Sequence, residues 1–222
     1  MNSKACKLFL LLYVLFFIGL LVTVLCTEQG DLHLLLTLDY LSTGSVLWNA
    51  FQDIFFKYIT ELGAWGPFIV AVFLLFYKVG DALVVSVAQL MAALVVYPIK
   101  VLVAAPRPSL FFNMNFPDVV LHQVDGVALH AMNSFPSGHT AAVFSLMLCL
   151  TIVFQKRIWL APIFFVLALL TAYSRIYLSQ HFAEDVLVGS MIGVVMTLLT
   201  YWLYQRKRYA WEDESLIDLC KK

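Results

Sequence analysis

The sequence predicts an all-α integral membrane protein with six transmembrane helices and a short interfacial amphipathic helix. Three observations carry this. Apolar types make up 62% of the 222 residues and charged types 13%, whereas soluble domains run near 45–50% and about 25%. Mean hydropathy is +0.89. The apolar residues fall into six stretches near the length a bilayer needs, about 20 residues. So many apolar side chains exclude a soluble globule. The 14 basic and 14 acidic residues leave no positive excess for a phosphate backbone, so no nucleic acid partner is expected.

The first stretch runs from Leu8 to Cys26 and follows Lys4 and Lys7. It outlasts the roughly 7–15 residues of a signal-peptide core, and no A-x-A pattern follows, so it reads as an uncleaved span. Residues 27–47 are polar, with Glu28, Asp31, His33 and Asp39. Trp48, Phe51, Phe55, Tyr58, Ile59 and Leu62 then recur at steps of three and four, against Asn49, Gln52, Asp53, Lys57 and Glu61. This is an amphipathic helix that either lies in the membrane interface or packs on the protein's own spans.

The second span runs from Ala64 to Val79, with Pro67 in its first turn, where proline is tolerated. Lys78, Gly80 and Asp81 read as a tight turn. The third span, Ala82 to Ala104, contains Gln89, Pro98 and Lys100. Residues 105–138 form the longest polar loop. The fourth span covers Thr140 to Phe154, and Lys156 and Arg157 mark the next turn. The fifth covers Ile158 to Tyr173, residues 174–181 are a polar crossing, and the sixth runs from Phe182 to Tyr204. No repeat or low-complexity linker divides the chain, so residues 1–222 read as one domain. Its core is residues 64–204, preceded by the first span and interfacial segment (1–63) and followed by a tail (205–222). Cys6, Cys26, Cys149 and Cys220 have no metal-ligand spacing and read as free thiols.

Six spans put both termini on one side. That side collects Lys4, Lys7, Lys78, Lys156, Arg157, Arg206, Lys207, Arg208, Lys221 and Lys222. The opposite side keeps Lys57, Lys100, Arg107 and Arg175. The positive-inside rule makes the termini cytoplasmic.

Three of the outer cations sit beside polar, reactive residues. Lys100 lies seven residues before Arg107-Pro108. Phe135-Pro136-Ser137-Gly138-His139 opens the fourth span. Ser174-Arg175 ends the fifth, with His181 six residues after Arg175 and Asp185 four beyond that. All three segments end on the outer side, so they can converge. Alone, each cation reads as a snorkelling anchor. Together they suit a phosphate dianion: arginine supplies a planar fork and lysine a point charge. Ser137 and Gly138 precede a helix, whose free N–H groups and dipole favour an anion. Asp185, at i+4, can hold the Nδ1–H of His181 and leave Nε2 as a nucleophile. His139 can protonate the leaving oxygen and later deprotonate water.

Lys100-x6-Arg107-Pro108, Pro136-Ser137-Gly138-His139 and Ser174-Arg175-x5-His181-x3-Asp185 resemble the three signature motifs of the type 2 phosphatidic acid phosphatase (PAP2) superfamily. The resemblance covers residues 64–204 and implies a PAP2-like helical bundle. It implies His181 as nucleophile, His139 as acid/base and Asp185 as the orienting carboxylate. It implies Lys100, Arg107, Ser137, Gly138 and Arg175 as phosphate ligands, with no metal and no cofactor. The vanadium haloperoxidases share the motifs but are soluble, which this composition opposes. The family's substrates include lipid A phosphates, undecaprenyl pyrophosphate, phosphatidylglycerol phosphate and phosphatidic acid. The expectation is thus a phosphorylated membrane lipid, cleaved at the periplasmic face of a bacterial inner membrane, with residues 109–134 selecting the headgroup. Two alternatives remain: a lipid phosphotransferase of the same fold, and a six-span transporter, which would spread polar residues along its spans and repeat between halves.

Glu184 is expected to face away from the site. Asp118 and Asp125 read as solvated loop carboxylates that can line the entrance, and His122 and His130 as loop histidines. Tyr177 and Gln180 are candidates for supporting contacts.

Overall fold

The computed structural model describes residues 3–26, 45–119, 121–206 and 209–221. The polar stretch with Glu28, Asp31, His33 and Asp39 lies outside the described residues, as do Lys207 and Arg208. Among the described residues every regular element is helical. In chain order they are α1 (Lys4–Cys26), α2 (Val46–Ile59), a 3-10 turn (Thr60–Gly63), α3 (Gly66–Leu75), α4 (Val79–Val103), α5 (Pro108–Asn115), α6 (Gly138–Val153), α7 (Leu160–Tyr177), α8 (Ala183–Arg206), a second 3-10 turn (Ala210–Asp213) and α9 (Leu216–Cys220).

Helices α1, α4, α7 and α8 are long and apolar enough to cross a membrane. The amphipathic helix and the expected second span are two helices that meet almost end to end. α2 with its 3-10 turn and α3 pass the same test as a pair bent by 51°. The bend falls at Ala64-Trp65, between Gly63 and Gly66-Pro67. A Cβ on Gly63 would stand 2.7 Å from the carbonyl oxygen of His139, so a glycine here lets this backbone approach the start of α6. The faces of α2 are also the reverse of a soluble amphipathic helix. Trp48, Phe51, Ile54 and Tyr58 are exposed, while Gln52 is buried. Phe56 packs inward on Tyr173 and Tyr177 of α7. An aromatic outer face, and an inner one that mixes Gln52 with Phe56, suit a helix with lipid outside it.

Helix α6, expected as the fourth span, is apolar but has only 16 residues. It sits at the centre, against α1, α3, α4, α7 and α8. Small residues let α8 approach it. A Cβ on Gly189 or Gly193 would strike the carbonyl oxygens of Ser137 and Ala141 respectively, the close backbone contact that small residues permit between membrane helices. Thr197 Oγ1 adds a 2.8 Å hydrogen bond to Ser145 Oγ across the same seam. On the other side of α6, Phe144 joins Tyr13, Phe16 and Phe165 in an aromatic cluster that docks α1 and α7.

Other boundaries shift for local reasons. Lys78, Gly80 and Asp81 do not form a turn: α4 starts at Val79, so Gly80 and Asp81 lie in its first turn. Gly80 answers to packing, since a Cβ there would collide with the Tyr204 hydroxyl and approach Glu212. The tail closes on this corner through Val79 N to Glu214 O (3.0 Å) and the Lys78–Asp213 ion pair (2.6 Å). α7 continues past Tyr173 to Tyr177 and carries Arg175 in its last turn, where a cation meets the negative end of the helix dipole. The long loop contains α5, with Pro108 at its start, a position proline favours. Cys6, Cys149 and Cys220 are free.

Candidate active site

Three chain segments meet at one end of the bundle. The first leaves α4 through Ala104, which is left-handed (φ 45°), so the chain turns sharply between Lys100 and Arg107. The second returns beside it. Arg107 N donates to Ala131 O at 2.8 Å and Ser134 N to Ala105 O at 3.0 Å, leading into α6. The third is the α7–α8 link, in which Gln180 N and His181 N both donate to Arg175 O, at 3.0 and 3.1 Å.

Between them lies a pocket of about 500 Å³. Its wall includes Lys100, Arg107, Gly138, His139, Arg175 and His181. Six of the eight residues singled out in the sequence therefore share one cavity. The other two stand behind the wall. Asp185 is 1% exposed and faces His181. Ser137 is fully buried and serves as N-cap of α6, accepting from Thr140 N and Thr140 Oγ1 at 3.4 and 2.9 Å. Its backbone N–H donates to Asp185 O at 3.0 Å. Ser137 thus shapes the helix start, while Gly138, beside which a Cβ would meet only Val96 at 3.8 Å, leaves that start open to the pocket.

The cations are held by backbone and neutral side chains. Lys100 Nζ donates to the carbonyls of Asn133 (2.7 Å) and Ser134 (3.2 Å). Arg107 donates from Nε to Met132 O at 3.0 Å and from Nη1 to Gln180 Oε1 at 2.6 Å. Arg175, 7% exposed, donates from Nη1 to Thr60 Oγ1 at 2.8 Å. Its Nε is buried with no hydrogen-bond partner among the described residues. None of the three forms an ion pair with a carboxylate among these residues, so their charge is left for an anion. Burial draws the Arg107 guanidinium below its ordinary range, opposed by the charge of Asp185.

His181 is 2% exposed, with Nδ1 3.3 Å from Asp185 Oδ2. The same oxygen accepts from Phe182 N at 2.8 Å and from the Ser134 hydroxyl. Three donors on one oxygen fix the carboxylate, and the carboxylate fixes the ring. Burial, then the charges of Arg175, Lys100 and Arg107, hold the His181 imidazole well below the usual histidine range.

The remaining sequence candidates separate. Glu184 is exposed and off the pocket wall. His130 and Gln180 line the pocket. His122 instead bonds Asp53 at 2.8 Å, and Tyr177 donates to Asp53 at 2.7 Å, which ties the loop to α2. Asp118 is exposed and Asp125 offers its backbone carbonyl to Lys57 Nζ at 2.6 Å; neither carboxylate is on the wall. Sequence reasoning missed Thr60, Lys57 and Glu61, which also line the pocket, and Ser134. Lys57 near the end of α2 and Glu61 in the 3-10 turn after it, four residues apart, look like ordinary helix-surface patterning, so nothing marked them.

A sequence model of the PAP2 superfamily matches residues 81–209, a region holding every residue from Lys100 to Asp185, and the chain belongs to that superfamily. Lipid A 4'-phosphatase of Porphyromonas gingivalis is 30% identical over 168 residues, 73% of this chain and 70% of that protein. Lipid A 1-phosphatase of the same organism is 36% identical over 74 residues, 33% of this chain but only 17% of that protein. The crystal structure of Aquifex aeolicus LpxE superposes with a TM-score of 0.64 at 25% identity, covering 78% of this chain and 94% of that one. With its apolar helices, the chain is a multi-pass membrane protein.

Proposed function

We propose that this protein is a metal-independent phosphatase of membrane lipids that removes a phosphate monoester or pyrophosphate from the headgroup. The observation that carries the reading is the pocket itself. It brings Lys100, Arg107 and Arg175, none paired with a carboxylate among the described residues, together with His139 and His181, and the buried Arg175 Nε–H lacks an acceptor among those residues.

The reaction runs in two displacements. His181 Nε2 attacks phosphorus, and the bond from phosphorus to the lipid oxygen breaks as His139 donates a proton to that oxygen. Water then attacks the phosphohistidine, His139 takes its proton, the P–N bond breaks and inorganic phosphate leaves. A bound dianion favours the imidazolium that His139 needs in the first step. Arg107, Arg175, Lys100 and the first N–H groups of α6 stabilise charge on the phosphoryl oxygens in flight. The neighbours of this site are phosphate-binding cations, so no divalent ion is needed to neutralise the substrate.

The similarity to two lipid A phosphatases favours the phosphate groups of lipid A as substrate, with undecaprenyl pyrophosphate and phosphatidylglycerol phosphate as the comparison classes. We place the chain in a bacterial inner membrane as one domain of six spans, counting bent α2–α3 and short α6 as spans. Both termini are then cytoplasmic and the pocket is periplasmic. A substrate panel on purified protein in detergent, scored by released phosphate, tests this. Lipid A should be turned over fastest, in excess chelator, and vanadate should compete. Activity lost to chelator and restored by metal would overturn the mechanism, and phosphate passed only to a lipid acceptor would make the protein a transferase. Labelling Lys57 but not Lys156 with an impermeant amine reagent on intact cells is the expected topology; the reverse pattern would invert it.

A further inference from the structure

The link between α7 and α8 carries a side chain whose two ends reach two other segments of the phosphate pocket. Gln180 is 2% exposed and stands between Arg175 and His181. Its Oε1 accepts from Arg107 Nη1 at 2.6 Å, across 73 residues of sequence. Its Nε2 donates to Ala128 O at 3.1 Å, across 52 residues, and to Leu178 O at 3.4 Å. Only one orientation of the amide satisfies this set: reversed, it would turn its NH2 on a guanidinium donor and its oxygen on two carbonyls. The backbone beneath it is fixed as well. Ser179 is left-handed (φ 53°), and Gln180 N donates to Arg175 O at 3.0 Å. Gln180, Arg107 and Ala128 all line the pocket.

Resting on the phosphatase reading of this pocket, we propose that Gln180 is a positioning residue for the phosphoryl group: it aims the Arg107 guanidinium without neutralising it, and it ties the loop wall at Ala128 to the same point. The first half of the argument is one of charge. A carboxylate in this place would pair with Arg107, and every phosphate entering the pocket would have to compete with it. The amide oxygen holds the guanidinium and leaves its charge to the substrate. Met132 O takes the N–H on Nε and Gln180 Oε1 takes one on Nη1, so the N–H groups on Nη2 stay available for phosphate oxygens. The second half is one of distance. Gly126, Val127, Ala128 and His130 are the loop's share of the wall, and the bond to Ala128 O sets where that wall stands against Arg107. Misplacing a positioned group by about 1 Å costs about a hundredfold in rate.

The test is vanadate binding by calorimetry on the full chain in detergent, a readout that needs no turnover. Gln180→Leu keeps the bulk and loses both ends of the amide, and it should weaken vanadate by about tenfold or more. Gln180→Glu gives Arg107 a charged partner and should weaken vanadate further than leucine does. In an Arg107→Ala background, Gln180→Leu should cost no further affinity, since a residue that acts through Arg107 has nothing left to aim. A general loosening of the fold would cost affinity in both backgrounds alike. Hydrogen–deuterium exchange of residues 126–130 should quicken in Gln180→Leu, with or without Arg107. Wild-type vanadate affinity in either Gln180 variant, or an equal further loss without Arg107, would overturn the proposal; unchanged exchange would overturn the tie to the loop. Where Gln180→Leu does not fold, or Arg107→Ala binds too weakly to measure, the affinity of Gln180→Glu decides. Wild-type protein that binds vanadate but releases phosphate from no lipid would defeat the phosphatase reading alone, and the comparison of Gln180 variants would stand. Wild-type protein that binds no vanadate would defeat both.

Discussion

Thr60 Oγ1 accepts a hydrogen bond from Arg175 Nη1 at 2.8 Å, across 115 residues of sequence. It joins the turn after α2, which no signature motif includes, to the most buried cation of the pocket. Arg175 Nε has no hydrogen-bond partner among the described residues, so Thr60 sets the direction of the guanidinium. A hydrogen bond to a charged group contributes about 1.5–3 kcal/mol. Thr60→Val keeps the shape and removes the acceptor. It should raise KM for a soluble phosphate ester and the inhibition constant of vanadate, each by about tenfold or more. Thr60→Ser should restore both. Wild-type vanadate affinity in the valine variant would deny Thr60 this role.

The Asp185 carboxylate is a second point of leverage. Its Oδ2 receives the Ser134 hydroxyl, the Phe182 N–H at 2.8 Å and the Nδ1 edge of His181 at 3.3 Å. Asp185→Asn presents either an amide nitrogen to these donors or an uncharged oxygen to the histidine. Phosphoenzyme formation, followed by rapid quench, should slow by about a hundredfold or more. His181→Ala should form no acid-labile phosphoenzyme. An unchanged burst in Asp185→Asn would mean that something else orients the ring.

How much of this was legible beforehand depended on whether a residue belonged to a pattern. Lys100, Arg107, His139, Arg175 and His181 stand in short motifs, and the fold brings them to one wall. Apolar stretches marked the helices because a bilayer demands long runs. The close approach at Gly63, just before the bend, escaped, since its partner is the backbone of His139, which is far away in sequence. The orientation of α2 escaped because period alone does not say which face meets lipid. Ser137, expected as a phosphate ligand, has a hydroxyl that accepts as the N-cap of α6; a serine before a helix suits either task. Thr60 and Ser134 carry no pattern at all.

Acid should destabilise the fold partly through His181. Burial and three cations lower its pKa in the folded protein, whereas in an unfolded chain it titrates near 6.5. Below that value the unfolded state binds a proton that the folded state refuses, so stability falls as pH drops and is unaffected by this group above it. In detergent, the melting temperature should fall between about pH 7.5 and 5 as His181 in the unfolded state takes up its proton. His181→Asn, which cannot titrate, should lose less over the same interval. Parallel losses in the two proteins would show that His181 carries no such burden.

The seam between α6 and α8 yields a prediction with its own control. A Cβ at Gly193 would collide with the Ala141 carbonyl oxygen, and one at Gly189 with that of Ser137. Backbone oxygens in a helix cannot move aside as a side chain can, so the helices must separate. Overpacking of this kind costs about 1–3 kcal/mol, and alanine's better helix propensity returns at most about 1 kcal/mol. Gly193→Ala should therefore lower the melting temperature. Gly189→Ala should do the same and also depress kcat/KM, because the oxygen it displaces belongs to the residue that caps α6 beside Gly138 and His139. Gly19 is helical too, but a Cβ there meets nothing within 4 Å, so Gly19→Ala should be neutral or stabilising. Equal behaviour of the three variants would mean that propensity, and not the seam, governs these glycines.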